Sequence, residues 1–155
     1  LGTSSSAATI PVSMESTLKN GISKPVASFV IPLCATIHLS GSMIKLTLYA
    51  FAIVYMANLD ISTSTGLGFI FLLGIMMIAA PGVPGGAVMV AAGLLADMMG
   101  FDDGMVALMI AAYIAIDSVG TAANVTGDGA IAMIVDKFAG SKKDHTEEES
   151  AEATA

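Results

Sequence analysis

The sequence contains no arginine, a single cysteine (Cys34) and few charges, which make up 12% of its 155 residues. Without arginine, no side chain here can grip a carboxylate through two parallel N–H bonds from one planar group. One cysteine excludes a disulfide framework. So small a charged share, with 55% hydrophobic residues and a mean hydropathy of +0.81, excludes an ordinary soluble domain and points to a membrane protein. The net charge is −7, and five of the thirteen acids, Asp144, Glu147, Glu148, Glu149 and Glu152, fall close together at one end. That cluster describes a solvated tail and suggests no nucleic-acid partner. An enzyme is not expected either. There is no nucleophile–base pair or metal cluster at usable spacing, and GVPGG (82–86) lacks the Lys and Ser/Thr of a phosphate-binding loop.

Residues 65–96 hold no charged side chain, yet their centre reads AAPGVPGGA (79–87). The prolines and glycines of that stretch break a helix by removing donors and freeing φ. Each arm beside it falls short of the roughly 20 apolar residues that span a bilayer, in the range of re-entrant segments. The pattern predicts a helical hairpin that enters the membrane and returns to the same side. Two longer apolar stretches flank it. One runs over 25–57 and is interrupted by HLSGS (38–42); the other runs over 104–137 and is interrupted by DSVGTAANVTGD (117–128). A shorter helix over 7–19 opens at the serine run 4–6.

The loops at 58–64 and 100–104 contain no lysine, whereas Lys19, Lys24, Lys137, Lys142 and Lys143 flank the longer stretches. The positive-inside rule therefore puts both lysine clusters, and with them the carboxyl terminus, in the cytoplasm of a multi-pass protein of the cell membrane. Residues 140–155 read as an acidic, disordered cytoplasmic tail. Leu1 is not an initiator methionine, and LGTSSSAATIP reads as the interior of a longer chain.

Broken backbone survives at membrane depth only where protein buries it or where it lines a cavity. The serine run, HLSGS, PGVPGG and GTAANVTG are four such breaks in a short chain, a pattern suited to secondary transporters, whose half-helix ends bind substrates and ions. Asp117, Thr121, Asn124 and Asp128 recur at helical spacing on one face. A carboxylate at the bilayer centre costs at least about 2.5 kcal/mol, so two on one stripe need cationic partners. A binding stripe for an ammonium group and a cation is the sharper reading; hydrogen-bonding glue between helices is the plainer one.

These segments resemble the dicarboxylate/amino acid:cation (sodium) symporters, which include glutamate and neutral amino acid transporters. TSSSAATIPV (3–12) is similar to the tip and second arm of that family's first re-entrant hairpin, PGVPGGA (81–87) to the tip of the second, and NVTGD (124–128) to the last helix. The resemblance implies an all-α membrane protein of the elevator type, a homotrimer held by a missing N-terminal half. Residues 1–139 would be the C-terminal part of its transport domain: 1–19 the end of the first hairpin, 25–57 a broken membrane helix, 65–99 the second hairpin and 104–137 the last helix. It implies substrate-binding roles for Ser4, Ser6, Ser42, Val83, Asp117, Thr121 and Asn124, with Asp117 on the substrate's amino group. It implies sodium ligands at Cys34, His38, Asn124 and Asp128, and a further ion held by Thr36, Met77, Ile78 and Ala80. No cofactor is expected beyond the coupling ion, sodium or a proton.

Two departures bear on function. Members that carry acidic substrates have an arginine at the position of Gly120. The family's Asn-Met-Asp-Gly-Thr is here His38-Leu39-Ser40-Gly41-Ser42, so two sodium-binding side chains are lost. Lys45 is a cation within an apolar run, too far from either end to snorkel. It either replaces an ion's charge or meets a substrate carboxylate as a point charge. His38 opens the way to proton coupling, because histidine is the residue type that serves as a proton shuttle in proteins. The leading expectation is symport of a small neutral amino acid with a cation. The alternatives are a dicarboxylate or acidic amino acid carrier using Lys45, and a non-transporting receptor or channel subunit.

Overall fold

A computed structural model describes the backbone of residues 2–152 and the side chains of residues 2–139. Every regular element among them is helical: α1 (Ser6–Lys19), α2 (Lys24–Ile37), α3 (Ser40–Met56), α4 (Thr63–Met77), α5 (Gly86–Met99), α6 (Asp103–Ala115) and α7 (Asp117–Glu152). The tail expected to be disordered, 140–155, lies outside the residues whose side chains are described.

Local chemistry sets the helix starts. Ser5, Ser62 and Asp102 are extended N-caps whose side chains accept from Ala8, Thr65 and Met105 N–H groups. Ser23 does not cap α2 with its own side chain. Its N–H and hydroxyl instead donate to Asp136, tying the start of α2 to the middle of α7.

Among the described residues, only Lys24–Met56, α2 and α3 together, is by itself long and apolar enough to cross a membrane. The pair Asp103–Ala115 and Asp117–Ala139 passes the same test as one span bent by 63°. At 15 and 14 residues, α4 and α5 rise only about 22 and 21 Å, short of roughly 30 Å of hydrocarbon. They pack on each other as a hairpin. At its tip Gly85 takes φ +73, a left-handed conformation that favours glycine.

The interruption of the last span differs from the sequence expectation. Residues 117–128 are regular helix, and the chain breaks one residue earlier, at Ile116. The glycines of this stretch serve close approach instead. A Cβ at Gly120 would lie 3.2 Å from Lys45 Nζ, and one at Gly127 would meet the His38 ring.

Two apolar clusters form the interior. One joins α3, the α4–α5 hairpin and α6, around Leu46, Phe69, Leu95, Met109 and Tyr113. The other joins α2 to Ala132 of α7 through Ile22, Val30 and Ile31. Between Tyr113 and Ala132 along the chain come the buried Asp117, Thr121, Asn124 and Asp128. Many large apolar side chains face outward, among them Phe29, Leu48, Tyr55 and Phe71, as lipid or further protein would require.

Gly41 controls how closely α3 approaches α7. A Cβ there would lie 2.5 Å from the Gly120 carbonyl oxygen and 2.6 Å from Ala123 Cβ. Gly41→Ala is expected to force these helices apart and destabilise the protein by about 1–3 kcal/mol, the usual cost of overpacking. Unfolding in detergent measures this, and an unchanged midpoint would refute so tight a crossing.

Candidate functional site

The break at Ile116 creates an electrostatic opportunity. α6 ends there, leaving carbonyls without helical partners, and α7 begins at once with Asp117 on its positive end. Lys45 reaches this junction from α3. Its Nζ donates to Asp117 Oδ1 at 2.9 Å, to the Tyr113 carbonyl at 3.2 Å and to the Ile116 carbonyl at 3.5 Å. It also lies 3.5 Å from the centroid of the Tyr113 ring, a cation–π contact. Three acceptors match the three protons of an ammonium group. The lysine and aspartate side chains are only 7% and 6% exposed, so this is a buried ion pair.

Asp117 also reaches the second hairpin, its Oδ2 accepting the Gly85 N–H at 2.9 Å. The same tip is fastened to the start of α1, where the Gly82 carbonyl accepts from Ser5 Oγ at 2.9 Å and from the Ala7 N–H at 3.1 Å. Ser4, with φ +46, carries the chain into that contact. Ser4, Ser6, Ser42, Val83, Asp117, Thr121 and Asn124, the seven residues expected to bind substrate, line one cavity beneath the tips. Its volume is about 10 Å³, the room of about one water.

Asn124 organises the centre of the cavity. Its Oδ1 accepts from the Gly41 and Ser42 N–H groups at 2.8 and 3.3 Å, and its Nδ2 donates to Ser42 Oγ at 3.1 Å. A longer contact of 3.5 Å runs to Ser6 Oγ. The free N–H groups that begin α3 after the His38–Leu39 break are thus satisfied by a side chain of α7.

One turn beyond Asn124, Asp128 Oδ1 is 2.8 Å from His38 Nδ1, which carries the proton of that bond if the carboxylate is ionised. Asp128 Oδ2 is buried and has no hydrogen-bond partner among the described residues. Such an oxygen fits a hard cation, and Cys34 lies one turn before His38 with its carbonyl accepting the His38 N–H. The residues expected to hold a further ion are more dispersed. Met77 and Ala80 are buried and Ile78 is exposed, while the exposed Thr36 turns its hydroxyl to the Leu33 carbonyl. A Cβ at Gly82 would collide with the Ala35 carbonyl, so the second tip does lie against the last turn of α2.

Sequence reasoning missed Tyr113, as well as Ser5, Gly82 and Gly85. Tyr113 precedes Asp117 by one helical turn, a signal that was available. The other three act through a cap or the backbone, and their residue types do not announce it.

A polar stripe buried between broken helices and beneath two non-helical segments is the kind of site that secondary transporters build. Sequence comparison identifies which kind. The Sodium:dicarboxylate symporter family matches residues 1–138, and the chain belongs to that family. It is 31% identical over 137 residues to excitatory amino acid transporter 1 of Rattus norvegicus, and equally to those of Mus musculus and Homo sapiens. Each match takes in 88% of this chain and 25% of the relative, so the chain spans about a quarter of the length of these curated relatives.

Proposed function

We propose that the protein carrying this chain is a secondary symporter that moves a small neutral amino acid across the cell membrane with sodium. The observation that carries this reading is the burial of Asp117, Thr121, Asn124 and Asp128 on one helix face under two fastened tips. Asp117 receives the substrate's amino group, Thr121 and Asn124 bind its amino group and carboxylate, and Asp128 takes a coupling cation. The name of the matched relatives, excitatory amino acid transporter, supports an amino acid as cargo. The trimeric elevator and the cytoplasmic carboxyl terminus belong to the same proposal. The Ser23–Asp136 bond supports the orientation, because it holds Lys24 and Lys137 at one end of the bundle.

Gly120 favours a neutral over an acidic substrate, since it offers a second carboxylate nothing to bind. Lys45 is a poor substitute, with its three protons directed at Asp117 and two carbonyls. Uptake into liposomes under a sodium gradient tests the proposal, with neutral amino acids expected to outcompete aspartate and succinate. An arginine at 120 needs the space that Lys45 occupies. Gly120→Arg alone is therefore expected to lose uptake. Combined with Lys45→Tyr, it is expected to shift preference toward acidic substrates by about 10- to 100-fold, the worth of a charge-assisted pair. Selective uptake of aspartate or succinate by the unaltered protein would refute the neutral assignment.

A further inference from the structure

Lys45 does more than neutralise a buried carboxylate. Its ammonium has a carboxylate oxygen, two carbonyl oxygens and an aromatic face around it, the surroundings of a bound primary amine. The seat is shared with the gate, because the carboxylate that takes Lys45 on one oxygen takes the Gly85 N–H on the other. With the lysine in place, the second tip is also fastened to Ser5 and Ala7, and the cavity beneath is about 10 Å³. That is too small for an amino acid.

We propose that Lys45 is a tethered ligand of the ammonium seat: its Nζ and a cargo amino group are alternative occupants of Asp117, and the lysine lets the tips close without cargo. The physical reason is desolvation. A tip closing over an unpaired Asp117 would bury an uncompensated charge, whereas one closing over the Lys45–Asp117 pair buries a neutral unit. Cargo that carries an amino group must then displace the lysine. Room for the apolar stem of the displaced side chain exists in a neighbouring cavity of about 280 Å³, lined by Leu48, Tyr49, Ile116, Val119 and Ala123. There the Ile116 carbonyl stays within reach of the ammonium, and the cargo's own carboxylate supplies the balancing charge. The assignment of Asp117 to an amino group rests on the function proposed above, but the lysine's hold on the gate can be tested without any transported substrate.

Ser6 lines the cavity directly beneath Gly82 and is only 2% exposed, so Ser6→Cys, a near-isosteric change, reports on whether the tip covers it. Val83 is half exposed already, and Gly85, at positive φ, would not accept a side chain without strain. In the full-length protein, with Cys34 and any other cysteine replaced, Ser6→Cys is expected to react slowly with an aqueous thiol reagent when no substrate is added. Lys45→Met is expected to speed labelling by about tenfold or more, equivalent to about 1.4 kcal/mol of closing free energy. Methylammonium, a small primary ammonium, should slow labelling again in Lys45→Met and leave the parent unchanged. Lys45→Gln, which keeps a donor near Asp117 but no charge, provides the same test if the methionine variant does not fold. Labelling at the parent rate, or fast labelling that methylammonium does not slow, would overturn the proposal. Failure of amino acid uptake, with these labelling results intact, would refute only the substrate assignment.

Discussion

Asp117→Asn is expected to abolish uptake and to destabilise the protein by about 3–5 kcal/mol, the cost of leaving one member of a buried ion pair without its partner. The single carbonyl oxygen of the asparagine could accept from Lys45 or from the Gly85 N–H but not from both, and the buried ammonium would have no counter-charge. Adding Lys45→Met removes both charges and is expected to recover most of the lost stability, since an uncharged pair of similar volume packs about as well. Uptake should stay at background, because the seat for the amino group is gone. A double-mutant cycle of unfolding midpoints in detergent, run beside uptake in liposomes, separates the two effects. If the single substitutions simply add, the lysine and aspartate are not coupled and the site is wrongly described.

Asp128→Asn is expected to remove the response to sodium. A unit charge at 4 Å is worth about 4 kcal/mol at an effective dielectric of about 20, so cation affinity should fall by about a hundredfold or more. The substitution keeps the shape of the side chain and a carbonyl oxygen that can still accept from His38, so the fold should persist. Two measurements report the change: uptake against sodium concentration, and the sodium-dependent rise in unfolding temperature, with choline as the control cation. A half-saturating sodium concentration equal to that of the parent would show that the partnerless Asp128 oxygen takes no cation.

The two carboxylates thus answer different needs, although they share one helix face. Asp117 lies at the start of α7, beside a helix end whose carbonyls also face Lys45, and both of its oxygens are engaged. Asp128 lies nearly three turns further on with one oxygen engaged by a histidine and the other without a partner. A fixed cation meets the first, and a diffusible cation suits the second.

Much of this was legible in the sequence because it depends on local geometry. The spacing of Asp117, Thr121, Asn124 and Asp128 puts them on one face of any regular helix, wherever that helix packs. Two apolar arms too short to span, joined by PGVPGG, describe a hairpin without reference to the remainder of the chain. A lysine in an apolar run demands a partner, and that demand could be read before the partner was known.

Only the tertiary structure decided which partner Lys45 has. Asp117 is 72 residues away, and the pair forms because Gly41 lets α3 lie directly against the backbone of α7. The place of the break was decided in the same way. GTAANVTG looks weak as helix, yet its glycines are positions of close contact, and the chain turns at Ile116, where residue type gives no warning. Helix spacing is a property of neighbouring residues, so the sequence alone determined it. Ion pairing and the choice among possible breaks depend on which helices meet, and distant residues settle that by packing.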